Sequence, residues 1–249
     1  MWGHAADGSG ERRGRGWVQV ESVVTARPES DLAGEAFEIA PAPTSLVYAI
    51  SKRALDIAIS SILLLAALPI LVLVAVVIRA DSPGPVIFRQ RRVAQGGRLF
   101  QFLKFRTMYV DARDRFPELY AYRYGPEGFG DFYFKTPDDP RLTRVGRRLR
   151  RTSLDELPNL VNVLRGEMSL VGPRPELPEH LRYYGQRELA KFSVKPGVTG
   201  LWQIRGRARL RYVEQLESEI EYVQRRSLWL DLAILARTPR AVMTGDGAF

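Results

Sequence analysis

The chain has no cysteine. That excludes a disulfide framework and any thiolate metal site, and it fits a reducing compartment. Histidine is almost as scarce: only His4 and His180 occur. A multi-histidine metal centre and a metalloprotease helix are therefore excluded. A Ser-His-acid triad would have to run through His180, which stands in no nucleophile motif and reads as structural. Acidic residues are in deficit, 28 against 37 Lys plus Arg, giving a net charge of +9 over 249 residues. Such an excess points to a polyanionic partner: nucleic acid, an anionic membrane face or a phosphorylated substrate. No helix-turn-helix or RNA-binding signature accompanies the charge, so a nucleic-acid partner is not expected. With His and Cys nearly absent, carboxylates and cations are the groups left to do chemistry.

Long apolar runs are also few. Residues 1–48 mix Gly, Ala, Ser, Pro and both charges without a sustained period, and are expected to form a disordered tail. No secretory signal is visible, because the first long apolar run starts too late. That run, Ile57 to Ile78, holds 22 residues without a charge. As a helix it would be about 33 Å long, close to one hydrocarbon core. A soluble core helix so apolar on every side is uncommon, so a membrane segment is expected. Pro69 interrupts it, leaving a kinked spanning helix or a re-entrant helix-break-helix. Lys52 and Arg53 precede the run, and Arg79, Arg89, Arg91 and Arg92 follow it. Positive charge on both flanks favours the re-entrant form, with both ends on the cytoplasmic side.

Beyond the membrane segment, Asp81-Ser82-Pro83-Gly84-Pro85 predicts a turn. Two β-prone runs around Gln95-Gly96-Gly97 predict a hairpin. Lys104 and Arg106 alternate with Phe105 and fall on one strand face, either solvated or functional. Residues 111–139 carry no assignable pattern. From Arg141 the period is helical, with Leu142, Val145 and Leu149 on one face. Two Gly/Pro loops follow, "GPRP" at 172–175 and "KPGVTGLWQIRGR" at 195–207, then a helical stretch over about 209–225. The C-terminal "SLWLDLAILARTPRAVM" reads as an interfacial helix with Trp229 at its start. Within it, Asp231 is either a helix cap or a functional acid.

Two neighbouring carboxylates, Asp155 and Glu156, stand just after the most basic run of the chain. Ser153-Leu154-Asp155-Glu156 spells an S-x-x-E capping box, so the pair could simply start a helix. Yet six arginines, Arg150 among them, fall within the eleven residues before Thr152. Guanidinium groups bind phosphate oxygens bidentately, and a helix N-terminus adds N–H donors. Carboxylate, cations and anion site together are the equipment of phosphoryl transfer. One acid would attack or act as base, and the other would hold Mg²⁺ or orient the first. Arg174, between two prolines, is either part of a plain turn or a pre-placed phosphate ligand.

Taken together, "SKRALD", "VIFRQRRV", "LKFRTM", "RRTSLDELPNLVNVLRGEMSLVGPRP", "KPGVTGLWQIRGR" and "LWLDLAIL" resemble the bacterial sugar transferase family, the monotopic phosphoglycosyl transferases. The resemblance covers about residues 50–245. It implies an α+β, mostly α fold: one re-entrant membrane helix (57–78) and a cytoplasmic catalytic part (82–245) with a small hairpin and interfacial helices, together a domain over 49–245. It implies transfer of sugar-1-phosphate from a UDP-sugar to undecaprenyl phosphate at the inner membrane, with UMP released, to start an exopolysaccharide, capsule or O-antigen glycan. Mg²⁺ is the implied cofactor, and membrane lipid an implied partner; a homo-oligomer is compatible with this reading. Asp155 matches the family's nucleophile and is assigned to the metal as well; Glu156 matches its essential partner. Lys104, Arg106, Arg150, Arg174 and Arg207 match residues that bind phosphates or uridine, Asp231 a functionally sensitive acid, and Pro69 the helix break. Two departures stand out: Leu68 where some members carry Ser, and Ala94 where Gly is common. Larger members carry further membrane helices before this domain, so a minimal form is expected here. A dead adapter is disfavoured by the intact Asp155-Glu156 pair.

Overall fold

The computed structural model describes residues 39–120 and 139–243. The first 38 residues of the expected tail lie outside the described residues, as does most of the unassigned stretch 111–139. The first described residue, Ile39, is buried, and a helix begins at Leu46.

Helix α1 runs from Leu46 to Asp81 with Pro69 inside it. The expected break at the proline is thus not a gap between two helices. Proline removes one hydrogen bond, and the apolar helix formers on either side hold the rest of the ladder. Only 11% of its most apolar 18-residue window is buried, so α1 is not a core helix. Its N-terminal part packs through Ile59 and Leu64 on one core cluster, and its C-terminal part through Leu71, Val74 and Ile78 on another. Ser82 ends it by donating its N–H to the Ile78 carbonyl at 3.2 Å, and the predicted Pro-Gly-Pro turn follows.

The predicted hairpin is present: β1 (Ile87–Val93) pairs antiparallel with β2 (Leu99–Phe105), Ile87 opposite Phe105. Its turn uses Gly96 and Gly97 at φ 74° and 82°, where a side chain would be strained. Ala94 sits just outside it at φ −99°, so alanine costs nothing there. A single turn, α2 (Ala112–Arg115), precedes the longer α3 (Arg144–Thr152). Helix α3 starts three residues later than the Arg141 period suggests, because the Thr143 hydroxyl caps it by accepting from the Gly146 N–H at 2.9 Å.

Next come α4 (Asn159–Arg165) and β3 (Ser169–Val171), then a second single turn, α5 (Gln186–Leu189). Strand β4 (Gly197–Thr199) pairs parallel with β3. Strand β4 falls inside the 195–207 segment expected to be a loop, and β3 directly precedes the expected loop at 172–175. Helices α6 (Leu201–Arg205), α7 (Tyr212–Arg225) and α8 (Leu228–Met243) complete the described chain, which is α+β and mostly helical as expected. Phe102, Leu160, Val163, Leu170, Tyr222 and Ile234 form the core that joins hairpin, α4, β3, α7 and α8.

Gly146 lets α3 lie directly on the backbone that follows β2. A β-carbon there would run into the Thr107 carbonyl. Gly146→Ala is expected to destabilise the fold by about 1–3 kcal/mol, since a neighbour's backbone has no room to give. Thermal unfolding in detergent checks this, and an unchanged midpoint would mean that α3 can shift freely.

Candidate active site

The acidic pair is presented by a short turn, not by a helix N-terminus. Ser153 takes the left-handed conformation (φ 58°, ψ 15°) and closes α3, donating its N–H to the Arg150 carbonyl at 3.2 Å. Leu154–Glu156 then form one 3-10 turn before α4. The capping box is therefore corrected. Ser153 is a C-cap, and its hydroxyl accepts from Arg207 Nη2 at 2.6 Å, away from the Glu156 N–H. The Glu156 carboxylate accepts instead from Arg174 Nη1 at 3.1 Å. A charged partner outcompetes a backbone amide for a carboxylate.

Asp155 is buried and faces a cavity of about 1060 Å³. Lys104, Arg106, Arg150, Glu156 and Arg174 line the same cavity, so the structure brings together six of the predicted site residues. Arg150 is buried, with Nε donating to the Thr107 hydroxyl at 3.3 Å. Its Nη1 lies 3.6 Å from Asp139. Burial pulls the Arg150 pKa down, against the pull of Asp155 and Asp139. Arg106 borders the cavity, but its guanidinium is committed to carbonyls: Nη2 donates to Ser82 at 2.7 Å and Nη1 to Pro83. It fastens the turn after α1 to the strand that carries Lys104.

Three predicted residues stand elsewhere. Arg207 lies behind the pair, binding Ser153 and the Ala241 carbonyl (3.0 Å), close enough for Glu156 and Asp155 to act on its charge. Pro69 is in α1, apart from the cavity. Asp231, expected in the substrate-binding set, stands apart from the cavity. It is buried and accepts from Lys52 Nζ (2.8 Å), Tyr48 Oη (2.9 Å) and Tyr222 Oη (2.7 Å). It locks α8 to the start of α1. Nor is it the cap of α8, because Ser227 Oγ accepts the Leu230 N–H at 3.2 Å.

The sequence reading missed the groups that hold the cations in place. Asp139 lines the cavity and pairs with Arg141 at 2.8 Å as well as with Arg150. Glu219, on α7, accepts the Arg174 N–H at 2.8 Å and pairs with Lys191 at 2.5 Å. Arg92 donates to the Pro175 carbonyl at 3.2 Å. Burial would raise the Glu176 carboxyl, but Lys191, His180 and Arg92 hold it well below the usual range. The loop carrying Arg174 is thus clamped from both sides. A lone acid in a helical pattern gives no sign of such a partner; Thr107, inside "LKFRTM", and Arg92, inside "VIFRQRRV", were within reach of a motif.

Burial and the nearby Arg150 push the Lys104 ammonium down to about 7, although Asp155 opposes this. An anionic ligand favours the charged form, so above that pH its binding must take up a proton. Donor KM is expected to rise by up to about tenfold per pH unit between pH 7 and 9. Lys104→Arg, charged throughout, should flatten the profile. A wild-type profile already flat over that range would remove Lys104 from the anion site.

Among the described residues no three acidic or histidine side chains gather to hold a metal unaided. Mg²⁺ commonly sits on one or two carboxylates and takes the rest of its shell from substrate phosphates and water. Asp155, facing an open cationic cavity, fits that mode.

A family model described as bacterial sugar transferase matches residues 47–245. The chain is 43% identical over 206 residues to the UDP-glucose:undecaprenyl-phosphate glucose-1-phosphate transferase of Caulobacter vibrioides, spanning 80% of this chain and 72% of that one. It is 40% identical over 198 residues to the undecaprenyl-phosphate galactose phosphotransferase of Salmonella typhimurium, spanning 80% and 41%. With the exopolysaccharide production protein ExoY of Rhizobium meliloti it shares 37% identity over 201 residues, spanning 80% and 88%. The chain spans about two fifths of the length of several curated relatives it matches.

Proposed function

The chain belongs to the bacterial sugar transferase family, and from that premise we propose that it transfers sugar-1-phosphate from a UDP-sugar to undecaprenyl phosphate, releasing UMP and starting an exopolysaccharide-type glycan. The observation that carries this is the convergence of Asp155 and Glu156 with Lys104, Arg150 and Arg174 around one cavity. Three cations match a pyrophosphate, and the buried carboxylate between them is the nucleophile. The names borne by the relatives supply the acceptor class.

In the proposed chemistry, a carboxylate oxygen of Asp155 attacks the phosphorus that carries the sugar. The bond from that phosphorus to the bridging oxygen breaks, and UMP leaves with the electron pair. The enzyme then holds an aspartyl phosphosugar. A phosphate oxygen of the acceptor attacks the same phosphorus and returns Asp155 as carboxylate. Each step exchanges one P–O bond for another. Glu156 keeps Arg174 aimed, and Arg174 with Lys104 offsets charge on the phosphoryl oxygens. Asp155 and the donor phosphates would hold Mg²⁺, which would supply positive charge beside the phosphate oxygens.

The membrane reading is re-entrant, with the catalytic part on the cytoplasmic face of the inner membrane. A straight helix of the length of α1 would extend about 54 Å, yet both of its ends engage the same domain. Lys52 reaches Val171 and Asp231, while Val74 and Ile78 pack on Phe105 and Leu149. Exposed Leu46, Val47 and Ile50 at the start of α1, with Trp229 and Leu232 of α8, add an apolar surface suited to the interface.

The test is UMP release by the detergent-purified chain across a panel of UDP-sugars. Release that requires both polyprenol phosphate and Mg²⁺ is expected; no release with any donor would sink the reading. An N-terminal tag accessible only from outside intact cells would overturn the re-entrant topology.

A further inference from the structure

A second cleft, of about 690 Å³, lies at the closed end of the hairpin. Arg98 lines it from the hairpin tip, Arg165 and Glu167 from the end of α4, and Lys195 from the approach to β4, over a floor that includes Ile39 and Phe100. Leu99 alone borders both this cleft and the active-site cavity, so the two are distinct.

Cations outnumber carboxylates in this corner, where Glu167 lines the cleft and Asp56 acts on Lys195 from nearby. Arg53 reaches in from α1 and donates to the carbonyls of Val163 (2.6 Å) and Leu164 (2.8 Å), both uncharged partners. Beside Gly166, Arg53 Nη2 and Lys195 Nζ lie 3.6 and 3.7 Å from the point where a β-carbon would stand, so two cationic heads share one small volume. The acid of the cleft, Glu167, accepts from Asn162 Nδ2 at 2.7 Å. Among the described residues Arg53, Arg98, Arg165 and Lys195 have no carboxylate within ion-pair reach, whereas Arg187 and Arg205 on the surface each hold a glutamate at 2.5 Å. Burial, and then Arg53, lowers the Lys195 pKa, and the Asp56 carboxylate opposes this only in part.

We infer that this cleft binds the phosphate of an anionic phospholipid headgroup, with Lys195 and Arg165 as its principal ligands. Position decides for a lipid over a free anion. Arg53 precedes the start of the uncharged run at Ile57 by one turn, about 6 Å along the helix axis. The cleft therefore opens at the height where α1 passes the headgroups, and its apolar floor suits the glycerol and upper acyl region. Free phosphate would use the cations and leave that floor bare.

The test is native mass spectrometry of the full detergent-purified chain with phosphatidylglycerol or phosphatidylcholine at equal concentration. Wild type is expected to retain phosphatidylglycerol preferentially. Arg165→Glu/Lys195→Glu should weaken that retention by about tenfold or more, given the attraction of each basic residue to an anionic surface. Lys195→Gln, gentler on the fold, should weaken it several-fold. Reversing two exposed arginines elsewhere, Arg148→Glu/Arg151→Glu, should leave it within twofold. Equal loss in that control would mean diffuse attraction to a basic protein and would overturn the site. So would undiminished retention in both cleft variants. Displacement of phosphatidylglycerol by millimolar inorganic phosphate would overturn the lipid assignment. The readout is bound lipid, so it stands or falls separately from sugar transfer.

Discussion

Asp155→Asn is expected to lower turnover by about 10⁴-fold or more. The substitution keeps size and shape, so the buried position stays filled. On the proposed mechanism it removes the anionic oxygen that attacks phosphorus. Incubation with donor and no acceptor gives the direct check. Wild type should gain the mass of one phosphosugar, and Asp155→Asn should gain none. Loss of turnover with the adduct still forming would place the nucleophile elsewhere, Glu156 being the nearest alternative. The change also removes the anion that holds Lys104 charged. Any residual donor binding by the variant should therefore weaken at a lower pH than in wild type.

Features written in local chemistry were legible before the structure. A hairpin announces itself by two β-prone runs around Gly-Gly, and α1 by a charge-free run longer than any core helix needs. That Lys104, Arg106, Arg150 and Arg174 would gather was legible for the same reason, since so many cations in short motifs must share space with the acidic pair between them in sequence. What stayed hidden depends on partners distant in sequence. The short strands β3 and β4 are three residues each and lie beside Gly and Pro. They exist because 28 positions later the chain returns to pair Ser169 with Gly197. Ser153 satisfied the capping pattern but took the other side of the boundary, because Arg174 claimed Glu156 and Arg207 claimed Ser153. Asp231 could be read as a helix cap or as a functional acid, because a charge in an apolar helix demands a reason. The reason is Lys52, 179 residues away. Burial of a charge with its partner satisfies the same physical need as catalysis does, and local sequence does not separate the two.

The Arg174–Glu156 pair is where activity and stability should part most clearly. Each side chain is about one fifth exposed (22% and 20%), and the pair opens on the cavity, so its loss should cost a modest amount of stability, about 1–3 kcal/mol. Arg174→Ala should nevertheless lower kcat by about 10²–10³-fold, the usual cost of losing one fixed donor to a phosphoryl or oxyanion oxygen. Arg174→Lys keeps the charge but loses the planar fork, which can serve Glu156 and a phosphate oxygen together. It should recover only part of the loss. The backbone of the loop is held independently, by Glu219 on the Arg174 N–H and Arg92 on the Pro175 carbonyl. Truncating the side chain therefore leaves the loop in place, and the defect reports the guanidinium itself. If Glu156 acts by aiming Arg174, then Glu156→Gln in the Arg174→Ala background should cost almost nothing further, because its target is already gone. Additive losses in kcat for the double variant would instead show Glu156 working on the substrate or the metal directly, and Arg174 as an independent phosphate ligand.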